Sequence, residues 1–343
     1  MIRNDIRALD AYHVPDASGL IKLDAMENPY PLPDTLRRTL AERLANADIH
    51  RYPDAAMENL REKIAARHGL APEQILLGNG SDEIIQMLMI AADQGACAAP
   101  APSFVMYELI AKWIRRPFTA ISLDEHFNLD ADRFLQVVSR EKASLAFLAC
   151  PNNPTGNFWA ADVVERIASD FGGLLVIDEA YAPFADRDHL HLINEHVLVL
   201  RTFSKIGWAG LRLGYAVGQA SLISELNKVR LPYNINTLTQ IAADVLLDHF
   251  HVFDEQATRI RCERERMQRA LAAFPDLQTY PSQTNFITIR VPDAGQAFAH
   301  LLKKRILIKQ LGGHALLENC LRITIGTPEQ NDQVLEALKE LFK

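Results

Sequence analysis

Short, continuous apolar runs alternate with amphipathic stretches through the middle of the chain. Four such runs have the length of a strand: SLAFLAC (144–150), LLVIDEAY (174–181), HVLVLRTFSK (196–205) and LRLGYAVG (211–218). Strands that are apolar on both faces are typical of a sheet covered on both sides, and helices between them indicate that the sheet is largely parallel. The chain is therefore predicted to have an α/β fold with a mostly parallel sheet covered by helices.

The two ends of the chain have different patterns. NPYPLPD (28–34) carries three prolines and predicts an extended loop before a helix. NFITIRV (285–291) and LRITIG (321–326) alternate apolar and polar positions, which is typical of strands with one solvated face. These patterns predict a large domain and a second unit made of an N-terminal arm with a small α+β domain. The predicted boundaries are 35–235 for the large domain, and 1–34 with 236–343 for the arm and small domain.

Composition and charge exclude several classes of protein. The chain is 48% hydrophobic and 23% charged, and its formal net charge of −7 argues against broad nucleic-acid binding. No apolar run approaches the roughly 18 residues of a membrane helix, and the N-terminus has no apolar segment typical of a secretory signal. The cysteines lie far apart without a CxxC pair, and the histidines show no metal-binding spacing. We therefore expect a cytoplasmic protein with no metal, no membrane contact and no nucleic-acid partner.

Unusual polar groups follow four of the predicted strands. Because the carboxyl ends of parallel strands meet at one edge of a sheet, where ligands of such folds bind, we expect these groups to lie together. The four segments are GNGSDE (78–83), PNNPTG (151–156), DEAY (178–181) and TFSK (202–205).

Each segment has both an ordinary and a chemical interpretation. Ser81 is placed to cap a helix whose free N–H groups, including that of Asp82, form an anion site, and the Asp82 side chain would then point away from the anion. Asp178 follows a buried strand, so its carboxylate needs a donor or a cation. Lys205 after such a strand is a candidate Schiff-base nucleophile, and Arg212 suits a phosphate. Taken singly, these residues could equally be a capped helix, a turn aspartate and surface cations.

Taken together, the groups match what pyridoxal phosphate requires of a protein. The set provides an amine for covalent attachment, a carboxylate for the ring nitrogen and a phosphate cup. Asn153 and Tyr181 add two donors for the 3-oxygen of the ring. The sequence therefore predicts pyridoxal 5'-phosphate as the cofactor.

The ordered strings NPTG, DEAY, TFSK and GLRLGY resemble those of the fold-type-I aminotransferases, whose subunits have a large cofactor-binding domain and a small domain. The finer strings LDAMENPYPLP (23–33), RYPD (51–54), LGNGSDEII (77–85), CPNNPTG (150–156), IDEAYAPF (177–184) and LRITIGTPEQN (321–331) are similar to those of the histidinol-phosphate aminotransferases. This resemblance covers nearly the whole chain. It implies a homodimer that transfers an amino group between L-histidinol phosphate and 2-oxoglutarate, giving imidazole-acetol phosphate and L-glutamate, in L-histidine biosynthesis.

The resemblance also implies roles for single residues. Lys205 would carry the cofactor covalently, with Asp178 at the ring nitrogen and Tyr181 beside Asn153 at the 3-oxygen, while Tyr107 would stack on the ring. The residues expected at the cofactor phosphate are Ser81, Asp82 through its backbone, Thr202, Ser204, Arg212 and, from the neighbouring subunit, Tyr52. The residues expected at the substrate are Arg322, which would bind its anionic group, Tyr12, Asn28 and Asn153.

Three alternatives remain open from the sequence. An aromatic amino-acid aminotransferase could use the same scaffold, because a pocket for imidazole can admit a phenyl ring. A phosphate-recognising decarboxylase of the same fold would release carbon dioxide instead of forming a keto product. A pyridoxal-phosphate-binding transcription regulator would need a DNA-binding domain, for which this chain has neither the spare length nor a basic patch.

Overall fold

The computed structural model describes residues 1–11 and 15–342; Tyr12, expected at the substrate, lies outside the described residues. The α-helices of the described residues are α1 (Asn4–Arg7), α2 (Asp34–Ala45), α3 (Glu58–His68), α4 (Ser81–Ala91), α5 (Met106–Ile114), α6 (Ala131–Arg140), α7 (Ala161–Asp170), α8 (Ala220–Asn227), α9 (Thr237–Asp248), α10 (His251–Leu271), α11 (Ala294–Lys303) and α12 (Pro328–Leu341). None of these helices is long and apolar enough to cross a membrane.

The strands of the described residues are β1 (Ile21–Lys22), β2 (Ile75–Asn79), β3 (Ala96–Ala101), β4 (Phe118–Ser122), β5 (Ala143–Ala149), β6 (Leu174–Asp178), β7 (Val197–Thr202), β8 (Leu213–Val217), β9 (Gln278–Thr279), β10 (Phe286–Arg290), β11 (Ile306–Leu307), β12 (Lys309–Gln310) and β13 (Cys320–Thr324).

The large sheet has seven strands in the order β2-β8-β7-β6-β5-β3-β4. All pairs from β7 to β4 are parallel, whereas β8 runs antiparallel to both of its neighbours. The predicted mostly parallel sheet is therefore confirmed. The reversed strand follows from the chain path, because the short loop 203–212 is enough to turn back beside β7 but is too short for a crossover to a parallel strand.

Both faces of the large sheet are buried, as the continuous apolar runs predict. Leu175 and Ile177 on β6 pack toward Phe134 of α6 and Val164 of α7. Val176 between them points to the opposite face, where α4 and α5 cover the sheet. Because successive side chains of a strand alternate between faces, every position of such a strand must be apolar. Only the strand ends are left for polar chemistry.

The small domain is built around an antiparallel sheet in the order β12-β13-β10-β9. β10 pairs with β13 over five residues, from Phe286 opposite Thr324 to Arg290 opposite Cys320. Near the N-terminus, β1 pairs in parallel with β11, so the arm is attached to the small domain by main-chain hydrogen bonds. The predicted small α+β domain is confirmed, and its apolar core reaches Tyr181 and Phe184 of the large domain.

The division of the chain at residue 235 stays a prediction. Residues of α9 such as Ala243 and Leu246 share an apolar cluster with Leu60 and Ile64 of α3, which lies against the large sheet. This packing favours a boundary within α10, because Phe253 still belongs to that cluster whereas Ile260 contributes to the core of the small domain.

Candidate active site

A cavity of about 210 Å³ lies at the carboxyl ends of β5, β6 and β7. Because these strands are parallel, their last residues Ala149, Asp178 and Thr202 come together at one edge of the sheet. The other residues that line the cavity are Ala25, Glu27, Ser81, Asp82, Phe104, Pro151, Asn153, Ala180, Tyr181, Ser204, Lys205, Ala209 and Arg212. All four polar segments predicted from the sequence are thus brought into one cavity.

Lys205 lies in the short 3-10 turn Ser204–Ile206 directly after β7. Burial of its side chain, with help from the positive charges of Arg322 and Arg212, lowers the pKa of Lys205 to about 8. Its Nζ lies 5.8 Å from the centre of the Tyr181 ring. A lysine in this environment has an appreciable neutral fraction near neutral pH, so it can act as a nucleophile or a base.

Asp178 ends β6 and is only 4% exposed. Removal from water raises the pKa of Asp178 to about 6, and two hydrogen bonds oppose that rise. The Tyr107 hydroxyl donates to Oδ2 at 2.6 Å, and the Ala180 N–H donates to Oδ1 at 3.0 Å. The result is a buried carboxylate that can accept one more hydrogen bond from a group in the cavity, such as a protonated ring nitrogen.

The structure corrects the role expected for Tyr107. Its ring lies flat on Phe147 of β5, with centroids 4.6 Å apart, and it does not line the cavity. The physical reason is the direction of α5, which turns Tyr107 inward against the sheet. The aromatic side chain that does line the cavity is Phe104, three residues earlier, whose ring meets Tyr107 edge-on at 5.4 Å. Both aromatic residues stand in the segment PSFVMYE, and the sequence alone does not show which of the two faces the cavity. That depends on their positions relative to α5.

The turn between β2 and α4 forms the anion-binding side of the cavity. Ser81 is the first helical residue and Gly80 occupies the cap position, so the expected side-chain cap at Ser81 is wrong. Arg212 donates from Nη2 to the Asp82 carboxylate at 3.2 Å, so this carboxylate lies beside the guanidinium expected at the anion. The expectation that the Asp82 side chain points away from a bound anion stays a prediction. Both side chains are about half exposed. The free N–H groups of the helix start, a hydroxyl and a guanidinium together suit a phosphate.

Thr202 and Ser204 place two hydroxyls beside this turn. The Thr202 hydroxyl donates to Ser204 Oγ at 3.0 Å and accepts the Ser204 N–H at 3.1 Å. The two residues are buried and fix the backbone just before Lys205. Thr202 thus supports the loop, while Ser204 has a hydroxyl placed for an anion.

Asn153 and Arg322 join the large and small domains across the cavity. Arg322 on β13 donates from Nη1 to Asn153 Oδ1 at 2.6 Å and from Nη2 to the Asp24 carbonyl at 2.9 Å. The guanidinium lies 5.3 Å from the Phe286 ring and is almost fully buried. Arg322 does not line the cavity itself. It lies behind Asn153, which does line the cavity and accepts its hydrogen bond.

Tyr181 carries a buried hydroxyl with no hydrogen-bond partner among the described residues. Burial raises the pKa of Tyr181, so its hydroxyl stays protonated and available as a donor. A buried donor without a partner is costly unless a ligand satisfies it. This hydroxyl, the Asp178 carboxylate, the Lys205 amine and the anion-binding turn together fit pyridoxal phosphate.

Two other predicted residues lie outside the cavity. Asn28 donates to the Ile206 carbonyl and to Gln256 Oε1, both at 2.8 Å, so it holds the loop that follows Lys205. Tyr52 is 81% exposed and its ring stacks on Tyr233 at 4.5 Å. Its role at a neighbouring subunit stays a prediction.

Comparison with known proteins identifies the family. The family model described as aminotransferase class I and II matches residues 18–338. Histidinol-phosphate aminotransferase 1 of Burkholderia lata is 47% identical over 346 residues, which cover 99% of this chain and 97% of that protein. Histidinol-phosphate aminotransferase of Chromobacterium violaceum is 46% identical over 348 residues, covering 100% of this chain and 98% of that protein.

A solved structure supports the fold. Histidinol-phosphate aminotransferase from Sinorhizobium meliloti, crystallised in complex with pyridoxal-5'-phosphate, superposes with a TM-score of 0.88 over 99% of this chain and 98% of that one. Its sequence identity of 24% shows the fold alone. The predicted fold-type-I architecture is confirmed. Taken with the full-length relatives, these matches show that the chain belongs to the class I and II aminotransferases and, within them, to the histidinol-phosphate aminotransferases.

Proposed function

We propose that this chain transfers the amino group of L-histidinol phosphate to 2-oxoglutarate, giving imidazole-acetol phosphate and L-glutamate, with pyridoxal 5'-phosphate as cofactor. The observation that carries the proposal is the meeting of Lys205, Asp178 and the unpartnered Tyr181 hydroxyl in one cavity. Relatives named for this activity match along the full length of the chain, which supports the choice of substrate.

Different residues of the cavity would bind different parts of the cofactor. When bound, pyridoxal phosphate supplies a carbonyl carbon for amine chemistry and a ring that withdraws electrons. Asp178 accepts the ring N–H, while Asn153 and Tyr181 donate to the 3-oxygen. Phe104 is placed to cover the ring. The phosphate is bound at the start of α4, where Ser81, Ser204 and Arg212 add a hydroxyl, a second hydroxyl and a guanidinium to the backbone donors.

Lys205 moves the proton. When an amine substrate is bound, the Lys205 Nζ would take the proton from the substrate α-carbon as a general base. Burial, which lowers the pKa of Lys205 to about 8, makes this base available near neutral pH without a partner to deprotonate it. Asp178 stays ionised above about pH 6 and therefore keeps a proton on the ring nitrogen.

Arg322 binds the anion of both substrates. L-Histidinol phosphate carries a phosphate ester where an amino acid carries its α-carboxylate, and 2-oxoglutarate carries the carboxylate itself. A guanidinium can make two parallel hydrogen bonds to either group. To do so Arg322 must exchange its bond to Asn153 for one to the substrate, which couples substrate binding to the residue at the 3-oxygen.

Two further features of the proposal concern the setting of the enzyme. We infer a homodimer, supported by the exposed Tyr52–Tyr233 pair, which leaves an aromatic hydroxyl free to reach a neighbouring subunit. We also infer a cytoplasmic enzyme, supported by four free cysteines, of which Cys97, Cys150 and Cys320 are buried.

The test is a comparison of amino donors. The purified chain with pyridoxal phosphate and 2-oxoglutarate should form glutamate faster from L-histidinol phosphate than from phenylalanine or tyrosine, judged by kcat/KM. Equal or better use of the aromatic amino acids would favour the aromatic aminotransferase instead. Release of carbon dioxide without glutamate would indicate a decarboxylase.

The assignment of Lys205 is tested separately. After borohydride reduction, mass spectrometry should find the pyridoxyl group on the peptide that contains Lys205. The Lys205→Ala variant should carry no reduced cofactor, whereas Lys228→Ala, which removes an exposed lysine paired with Glu225, should label normally. A label on another lysine of the unmodified chain would contradict the assignment.

A further inference from the structure

The hydroxyl of Tyr107 donates its hydrogen bond to Asp178 and does not line the cavity. It donates to Asp178 Oδ2 at 2.6 Å, and both side chains are buried. The ring is held from two sides, because Phe147 stacks on one face and Phe104 meets its edge. A phenol fixed in this way cannot swing to another acceptor, so its proton is directed at one carboxylate oxygen.

Charged and titratable groups face Asp178 from each element packed against it. Tyr107 comes from α5, Asp82 from α4, Tyr181 from the turn after β6 and Lys205 from the turn after β7. Asp82 disfavours the ionised form of Asp178, and burial disfavours it most strongly. The forces that favour ionisation are the Tyr107 hydroxyl, the Ala180 N–H and the Lys205 cation.

The donor from Tyr107 is constant, whereas the cation is not. Burial and the neighbouring Asp178 charge hold the pKa of Tyr107 well above its usual value, so the hydroxyl stays protonated throughout the working pH range. Lys205, by contrast, loses its positive charge whenever it acts as a base. The Tyr107 hydroxyl, which stays protonated, can therefore stabilise the ionised Asp178 carboxylate even when Lys205 is neutral.

We propose that Tyr107 is a positioning residue for Asp178, whose hydroxyl keeps the carboxylate ionised and leaves its remaining acceptor sites facing the ring nitrogen of the cofactor. This role rests on the proposed function, since Asp178 has a ring nitrogen to bind only if pyridoxal phosphate occupies the cavity. It differs from the stacking role that the sequence suggests for Tyr107.

The first arm of the test needs no cofactor. Thermal unfolding of the cofactor-free chain is followed from pH 5 to pH 8 for the unmodified chain, Tyr107→Phe, Asp178→Asn and the double variant. Tyr107→Phe removes a bond that is strongest to the ionised carboxylate, so its loss of melting temperature should grow as the pH rises through the pKa of Asp178. In the Asp178→Asn background the loss should be the same at every pH.

The second arm measures the dissociation constant of pyridoxal phosphate at the same pH values, as the ratio of variant to unmodified chain. Taking this ratio cancels the titration of the cofactor itself. If Tyr107→Phe raises the pKa of Asp178 by about one unit, the ratio should lie near one at pH 8, reach about fivefold at pH 6 and approach about tenfold toward pH 5. It should be independent of pH when Asn replaces Asp178.

Tyr280→Phe is the matched control. Tyr280 is also buried, and its hydroxyl accepts a bond from Arg290 Nε at 3.0 Å, outside the cavity. The effects of Tyr280→Phe on melting temperature and on cofactor affinity should both be independent of pH. A flat response of Tyr107→Phe, or the same response with Asn at 178, would overturn the proposal and leave Tyr107 a packing residue. Failure of the unmodified chain to bind pyridoxal phosphate would instead overturn the proposed function, and the first arm would still decide whether Tyr107 controls Asp178.

Discussion

Burial acts in opposite directions on the two ionisable side chains of the cavity. It lowers the pKa of Lys205 to about 8 and raises the pKa of Asp178 to about 6, because in each case the charged form loses water. Between these values Asp178 is ionised while Lys205 can still give up its proton. A single physical cause, burial of both side chains away from water, thus prepares a hydrogen-bond acceptor for the ring nitrogen and a base for the substrate.

One consequence is that Asp178 destabilises the chain in the absence of cofactor. The folded chain binds a proton at Asp178 more tightly than the unfolded chain, so stability falls as the pH rises from about 4 to about 6, by up to roughly 3 kcal/mol. Asp178→Asn removes this cost. The melting temperature of the cofactor-free variant should exceed that of the unmodified chain by a few degrees above pH 6 and match it near pH 4. Parallel pH profiles for the two proteins would contradict this account.

Arg322→Ala should damage both half-reactions while the cofactor remains bound. Removing one partner of a buried charge pair costs roughly 2–5 kcal/mol, which corresponds to a loss of about 30-fold to several thousandfold in kcat/KM. Arg322→Lys should recover only part of the loss, because an ammonium cannot make the two parallel bonds of a guanidinium. Single-turnover absorbance changes with L-histidinol phosphate and then with 2-oxoglutarate measure the two steps.

The control for this prediction is Arg290→Ala. Arg290 lies on the neighbouring strand β10 and is bonded to the Tyr280 hydroxyl and the Leu316 carbonyl, so it is an arginine of the same sheet away from the cavity. If Arg322→Ala leaves both rates within about twofold of the control, Arg322 does not bind the substrate anion.

Among the structural elements, the turn that starts α4 is the most sensitive. Gly80 has φ 79° and ψ 165°, a conformation that side chains avoid, and a Cβ there would lie 2.7 Å from Arg212 Nη2. Gly80→Ala should therefore strain the backbone and displace the guanidinium. We expect affinity for pyridoxal phosphate to fall by about tenfold to a hundredfold, as measured by titration of the cofactor-free chain.

Gly69→Ala separates the two effects. Gly69 ends α3 at φ 66°, but a Cβ there would meet nothing within 4 Å. This variant should lose about 1–2 kcal/mol of stability through backbone strain alone and bind the cofactor normally. Equal cofactor affinities of the two variants would show that Gly80 matters only for folding.

The elements differ in how well the sequence predicts them. The strands from β5 to β7 are predictable because a strand buried on both faces must be apolar throughout, and α3 is predictable because Gly69 stops it. The orientation of Tyr107 is not, since it depends on which side of α5 meets Phe147 in the folded chain. The contact between Arg322 and Asn153 joins two domains distant in sequence, and no local pattern encodes it.

On the scale of the whole molecule, the exposed aromatic pair points to a second subunit. Tyr52 and Tyr233 stack on the surface, and Leu231, two residues before Tyr233, is also exposed. Contiguous apolar side chains left in water are typical of an interface. If the hydroxyl of Tyr52 reaches a neighbour's cofactor phosphate, Tyr52→Phe should weaken cofactor binding by roughly 1.5–3 kcal/mol. The stack itself would be kept.

Tyr233→Phe is the matched variant, since it removes the hydroxyl of the other ring and should leave the affinity unchanged. Sedimentation at the concentrations of the activity assay gives the oligomeric state. A fully active monomer would refute the shared site, because a two-fold interface requires both subunits.

The pairing of β1 with β11 also has a consequence for the order in which the chain is made. The two strands lie near opposite ends of the sequence, so the arm emerges from the ribosome long before its partner exists. Domains generally fold during synthesis as soon as their residues are available, and the large sheet is complete once β8 has been made. β1 must therefore wait without its partner strand until nearly the whole chain has been translated. A nascent chain stalled before β11 should have a protease-resistant large sheet, whereas proteases should still cut the segment around β1.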